Sequence, residues 1–256
     1  MNRPFSLKTL FTITALLAVC ATLRAEPADE LIKNGDAFDQ RFKSAEALEC
    51  YLPAEKLEPR NASLLLRIAR QYRYLMSDAT SPKEKLRLGG IALDYSQRAA
   101  ALAPNDSEAQ LSVGITYGKM LPLMGTKEQV AASPRIKESA ENALKLDPRN
   151  DTAWHVLGRW HRNVADVGAI KRALASALYG KLPTTTNEAA VACFEKAIKL
   201  NPNRLMHYIE LGRVYAQMSR TADARRFLVK GLAMPDVEHD DPETKVRGRE
   251  ALAKLR

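Results

Sequence analysis

The amino-acid sequence predicts an all-α solenoid of antiparallel helix pairs with helical insertions. Three observations lead there. A leucine, one further residue and a proline return four times, in LEPRN (57–61), LAPND (102–106), LDPRN (146–150) and LNPNR (200–204). Small residues and aromatic rings recur at fixed offsets from those prolines. A chain of 256 residues, 46% hydrophobic and 27% charged, is also large enough to bury a substantial core, so the periodicity belongs to a folded body.

Taken in order, residues 1–25 stand apart as a signal peptide. Arg3 and Lys8 precede the apolar run LFTITALLAV, and no acidic residue comes before Glu26. The run is short for a bilayer span. Cleavage after Ala25, or after Ala21, fits the small residues there. The first cut removes Arg3, Lys8 and Arg24 and lowers the formal charge from +9 to +6. The expected destination is the periplasm or the cell exterior, and the same basic, acid-free start also fits an organellar presequence. Val19 is too large for the position before a lipidated Cys20. With Cys50 and Cys193 alone left in the mature chain, neither a disulfide framework nor a four-cysteine metal site is expected.

The four proline turns divide residues 26–238 into five units at 28–61, 62–106, 107–150, 151–204 and 205–238. Proline cannot continue the preceding helix, and the asparagine or aspartate beyond it can cap the next. The eighth residue of each unit is Gly35, Ala69, Gly114, Gly158 and Gly212; the eleventh is Phe38, Tyr72, Tyr117, His161 and Tyr215. A small notch beside a ring lets two helices approach closely. In the second helices Ala47, Ala92, Ile136, Ala190 and Ala224 precede Ala54, Ala99, Ala143, Ala197 and Gly231 by seven residues. Between these notches an aromatic is expected; Tyr51 and Phe194 supply it, whereas Ser96, Ala140 and Leu228 depart. Small residue, ring and proline recurring together form a tetratricopeptide-like pattern.

The three inner units are stretched. In the second, Ser81 as cap, Pro82 at the first helical position and Glu84 predict a second helix lengthened at its start. In the third, Gly125 is expected to end one helix and Ser133 with Pro134 to start another. In the fourth, GAIKRALASALYG reads as a short helical insert, and Thr185 with Glu188 as the capping box of the next helix. Residues 239–256 read as a capping helix that covers the last unit's stacking face.

The densest stretch is AWHVLGRWHRNVA (153–165), which holds both tryptophans. Trp154, Leu157, Gly158 and His161 fall on the packing face and read as structural, with Trp160 packing on the insert. His155 and His161 are six apart and do not converge on a helix, so no metal site is expected, and no cofactor. Neither GxSxG, GxxxxGK[ST] nor a strand-flanked GxGxxG is present, which points away from an enzyme. Stacking aromatics interleaved with basic residues are also missing, which argues against nucleic acid.

The inner surface of the solenoid is the remaining candidate. Positions two, five, nine and twelve of each first helix are expected to face inward. They supply Arg70, Arg73, His155, Arg159, Arg162 and Arg213 as polar candidates. Leu66, Leu111, Ile115, Met206 and Ile209 are the apolar ones, with Asp29, Ile32, Asp36 and Asp39 of the first unit forming an acidic entry. Such a groove suits a protein or acidic peptide; its apolar part suits a phospholipid or fatty-acyl chain.

WHVLGRWHRNVA, followed by IKRALASALYGKLPTTTNEAAVACFEKAIKLNPN, resembles the regulator of microtubule dynamics protein family, and the likeness runs over most of the mature chain. The resemblance implies an all-helical, adaptor-like protein with a microtubule association, and lipid binding in a membrane-tethered relative. No residue motif for tubulin carries over. The compact, exported style reads as bacterial, where no microtubules are met. The expected function is therefore a non-enzymatic protein or peptide scaffold, with lipid binding or transfer as the alternative.

Overall fold

The computed structural model describes residues 26–168, 176–178 and 183–255. The expected signal at 1–25 and most of the insert at 168–180 lie outside the described residues. Helices α1 (Glu26–Asp39) and α2 (Ser44–Leu57) form the first hairpin, α3 (Ala62–Asp78) and α4 (Pro82–Leu102) the second, and α5 (Ser107–Met120) and α6 (Thr126–Leu146) the third. The fourth is α7 (Asp151–Ala165) with α8 (Asn187–Leu200), and the fifth α9 (Leu205–Gln217) with α10 (Thr221–Ala233). Helix α11 (Asp241–Ala253) packs on both α9 and α10. Among the described residues no strand occurs, and no helix is long and apolar enough to cross a membrane.

The proline turns work as local chemistry dictates. Asn61, Asp106 and Asn150 each accept the amide N–H three residues on, at 3.1, 3.0 and 2.9 Å, starting α3, α5 and α7. The fourth turn differs: Arg204 holds the cap position of α9 and makes no side-chain cap bond. Ser81 caps α4 as expected, accepting from Glu84 N–H at 3.1 Å with Pro82 in the first turn.

The notches are filled by the facing helix. A Cβ at Gly158 would stand 3.0 Å from the Phe194 ring, and one at Gly212 2.7 Å from Leu228. Tyr51 covers Gly35 in the same way, so Leu228 occupies the aromatic's place in the fifth hairpin. Tyr51, Phe194 and Leu228 are fully buried, each stabilising by about 1.5–3 kcal/mol. The core is accordingly a string of clusters between successive helices.

Two local expectations are corrected. Helix α6 runs unbroken through Pro134 from Gly125, so Ser133 starts nothing; its hydroxyl instead accepts from Trp160 Nε1 at 3.0 Å. The cap of α8 is Thr186, accepting from Ala189 N–H, while Thr185 turns to His161 Nδ1 at 2.5 Å. Besides packing on its sequence neighbours, α3 touches α5, α5 touches α7 and α7 touches α9. These first helices form the inner wall.

Candidate functional site

That inner wall encloses a cavity of about 1490 Å³. Of the sequence candidates, Leu66, Arg70, Arg73, Ile115, His155, Arg159 and Met206 line it. Leu111, Ile209, Arg162 and Arg213 do not. Leu111 is fully buried against Ile136, Ala153 and Trp160, because the third hairpin seats α5 against α6 and α7. Ile209 is fully buried because α11 lies over it, with Gly248 offering no Cβ to hold it off. Arg162 Nη1 reaches Glu210 Oε2 at 2.5 Å and Arg213 Nη1 reaches Glu210 Oε1 at 2.7 Å. Burial alone would raise the Glu210 carboxyl, yet Arg162, Arg213 and Arg159 hold it well below the ordinary range. Burial pushes Arg162 down to about 10.

The acidic entry is neutralised. Asp36 bonds Arg67 at 2.7 Å, and Asp39 bonds both Arg70 and Gln71 Nε2. Arg73, almost completely buried, donates to the hydroxyls of Ser112 and Thr116 at 2.9 and 3.3 Å, with Ser96 beside them. Arg159 stands apart: among the described residues no hydrogen bond or ion pair engages it, and its Nε is buried without a partner. Burial lowers it from the ordinary arginine value, opposed by Glu210.

The tryptophan-rich segment is held by α6, α8 and the turn before it; the insert on which Trp160 was expected to pack lies mostly outside the described residues. Leu157 is in the core, Trp154 Nε1 donates to Pro148 O at 3.0 Å, and His161 lies edge-on to Trp160. Trp160 packs on α6 and also borders the cavity.

A buried relay escaped the sequence reading. His155 Nδ1 lies 3.0 Å from His207 Nδ1, and His207 Nε2 lies 2.9 Å from Asp151 Oδ2. His207 donating to Asp151 leaves its Nδ1 to accept from His155. Arg204 Nη1 bonds Asp151 at 2.8 Å, and Arg204 Nε bonds Glu238 at 2.6 Å. Burial pushes both histidines down, His155 well below its usual value, so both are neutral. Burial would raise Asp151, but His207 and Arg204 hold it at about 2. The available signal was Arg204 standing where three other turns carry Asn or Asp. Among the described residues no group of three or more His, Cys, Asp or Glu gathers as a metal site.

The family model described as regulator of microtubule dynamics protein 1-3 matches residues 26–256. The chain belongs to this family. Regulator of microtubule dynamics protein 1 of Mus musculus is 28% identical over 251 residues, spanning 97% of this chain and 80% of the mouse protein. The Caenorhabditis elegans protein 1 is 24% identical, spanning 81% and 94%. The fold is shared with a thermophilic TPR protein of Thermus thermophilus, at a TM-score of 0.62, 18% identity and coverage of 88% and 99%. Family membership and fold together make this chain a helical-repeat member of the regulator of microtubule dynamics family.

Proposed function

We propose that this family member is a non-enzymatic scaffold whose cavity takes a segment of a partner protein through an anionic group. The observation that carries the reading is Arg159, a cation that lines a large cavity and, among the described residues, is in hydrogen-bond or ion-pair contact with no carboxylate, Glu210 acting on it only through space. Val156, Trp160 and Met206 beside it give apolar contact to the rest of the segment. Arg213, which the sequence placed in the groove, is engaged by Glu210 and stands outside the cavity. The test is titration of the folded protein with a library of peptides ending in acidic residues, read by the fluorescence of Trp160 and Trp154. Arg159→Ala is expected to weaken capture roughly 10- to 100-fold, the worth of one charge-assisted hydrogen bond of about 1.5–3 kcal/mol. Arg213→Ala is expected to leave it within about twofold. Equal capture by wild type and Arg159→Ala would refute the assignment.

A second reading, an acyl chain with its headgroup on Arg159, is favoured by one observation. The cavity, about 1490 Å³, also has Leu121, Val130, Val164 and Leu178 in its lining, apolar side chains that suit an acyl chain. Native mass spectrometry of protein taken from its own cells separates the two: a retained phospholipid or fatty acid supports the second. The relatives are named for microtubule dynamics. We read this chain as exported on its amino-terminal pattern, and there the partner would be a polypeptide other than tubulin.

A further inference from the structure

The segment joining α10 to α11, residues 234–240, contributes Val237, Glu238 and Asp240 to the cavity lining and meets α3, more than 150 residues away. His239 stacks on Tyr74 of α3, centroids 4.2 Å apart and planes 17° apart, and meets Phe42 edge-on at 5.9 Å. The next residue, Asp240, salt-bridges Lys119 of α5 at 2.7 Å and accepts from Ser77 Oγ at 3.0 Å. This strap ties the last hairpin to the first three.

The holding contacts are one aromatic stack, one ion pair and side-chain hydrogen bonds, with His239 Nε2 also 3.2 Å from Asp78 Oδ2. Val237 is 56% exposed, and the strap's one apolar core contact is Met234 at its start, packed on the Leu205, Ile209 and Leu228 cluster of its own hairpin. On the receiving side, Lys119 also donates to Ser77 Oγ at 2.7 Å, so ammonium and hydroxyl stay together without the strap. Arg73 sits nearby with hydroxyl partners only. Asp78 is turned to His239 at 3.2 Å, so among the described residues Asp240 is the only carboxylate ion-paired to Lys119. Phe42 adds an independent sign. The α1–α2 turn needs a left-handed residue, as the α9–α10 turn does at Ser219 with φ 60°, yet here a phenylalanine, 46% exposed and edge-on to His239, takes φ 57°.

We propose that the strap is an internal stand-in for an acidic partner segment, one carrying a planar ring followed by a carboxylate, which displaces it from Tyr74, Ser77 and Lys119. The strap then occupies that corner of the cavity until such a segment arrives. The inference rests on the scaffold reading and names the partner's chemistry, but it uses a corner distinct from Arg159.

The experiment uses the full chain and a labelled nine-residue peptide, MPDVEHDDP, of residues 234–242. Two variants loosen the strap by different means: Asp240→Asn removes the ion pair and His239→Ala the stacking. Both are checked for helicity by circular dichroism. Each is expected to bind the peptide at least tenfold more tightly than wild type, read by fluorescence anisotropy. Lys119→Met in the Asp240→Asn background is expected to abolish binding, as is a peptide with its acidic residues changed to lysine. Equal affinity for wild type and both helical variants, or no saturable binding to either variant, overturns the proposal. Adding Arg159→Ala to Asp240→Asn keeps the two readings apart. Arg159-dependent capture in the acidic-terminus library with an unresponsive strap sinks only the strap. Strap-gated binding with no Arg159 effect in that library sinks only the earlier site.

Discussion

Replacing Glu210 by glutamine tests whether the fourth and fifth hairpins are joined by a buried charge cluster. Glu210 is 1% exposed, and its two oxygens serve Arg162 and Arg213. Among the described residues, glutamine keeps the shape and one acceptor but removes the only carboxylate bonded to Arg162, whose remaining side-chain partner is Asn163 Oδ1 at 2.9 Å. Leaving a buried cation uncompensated costs about 3–5 kcal/mol, and the retained acceptor puts the expectation at about 3 kcal/mol. For a chain of this size that lowers the melting temperature by roughly 6–12 °C. Urea unfolding read by tryptophan fluorescence, which reports α7 directly, gives the free energy. Arg162→Met with Glu210→Leu is expected to recover to within about 1 kcal/mol of wild type, because an apolar pair needs no desolvation of charge. The sign with pH also follows. Glu210 is held below its unfolded value of 4.5, so its contribution is present above that pH and is lost as pH falls through the folded value. Glu210→Gln removes that dependence. A loss under about 1 kcal/mol would show that the cluster contributes little to stability, and the reasoning would fall.

Two further predictions concern the relay and the notches. His155 and His207 have folded pKa values below the ordinary 6.5, so the unfolded chain takes up protons first. Stability is expected to be whole above about pH 6.5 and to fall with acidification, by up to about 1.4 kcal/mol per pH unit for each histidine. The charges facing the pair are Arg159, Arg204, Asp151, Glu210 and Glu238, and His155→Gln should flatten the slope of urea midpoints between pH 7.5 and 5. An unchanged slope would place the titration elsewhere. At Gly35 a methyl would enter the Tyr51 ring, whereas nothing lies within 4 Å of a Cβ at Gly90. Gly35→Ala is expected to destabilise by about 1–3 kcal/mol and Gly90→Ala to stabilise by up to about 1 kcal/mol, measured by thermal melts; the same sign for both would contradict the notch argument.

Much of this was legible because it is local. The caps at Asn61, Asp106 and Asn150 and the notch at Gly158 under Phe194 depend on spacing within one hairpin, which a one-dimensional pattern preserves. The groove was harder. Position five looks inward at Leu66 but is buried at Leu111 and Ile209, since the neighbouring α6 or α11 decides what covers it. The spacing of His155 and His161 on one helix was a sound test of the wrong pair: the partner of His155 is His207, 52 residues on. Nothing in MPDVEHDDP alone indicates that it crosses to Tyr74.

The polar side chains of the inner wall share a pattern that ties assembly to binding. Each boundary between hairpins carries its own stitch: Asp36 and Asp39 to Arg67 and Arg70, Arg73 to Ser112, Asn150 to Ser107 and Glu108, and Arg162 to Glu210. One hairpin cannot satisfy these groups alone, so the stitches specify how neighbours stack while apolar notches supply most of the free energy. A basic residue in such a wall is therefore engaged by its neighbour as a rule, and net charge says little about what the groove attracts. Local imbalance is the informative quantity. By that measure Arg159 has no directly bonded partner among the described residues and Lys119 is ion-paired only to a carboxylate carried by the strap, so these two places define where an anionic segment would add what the solenoid itself does not provide.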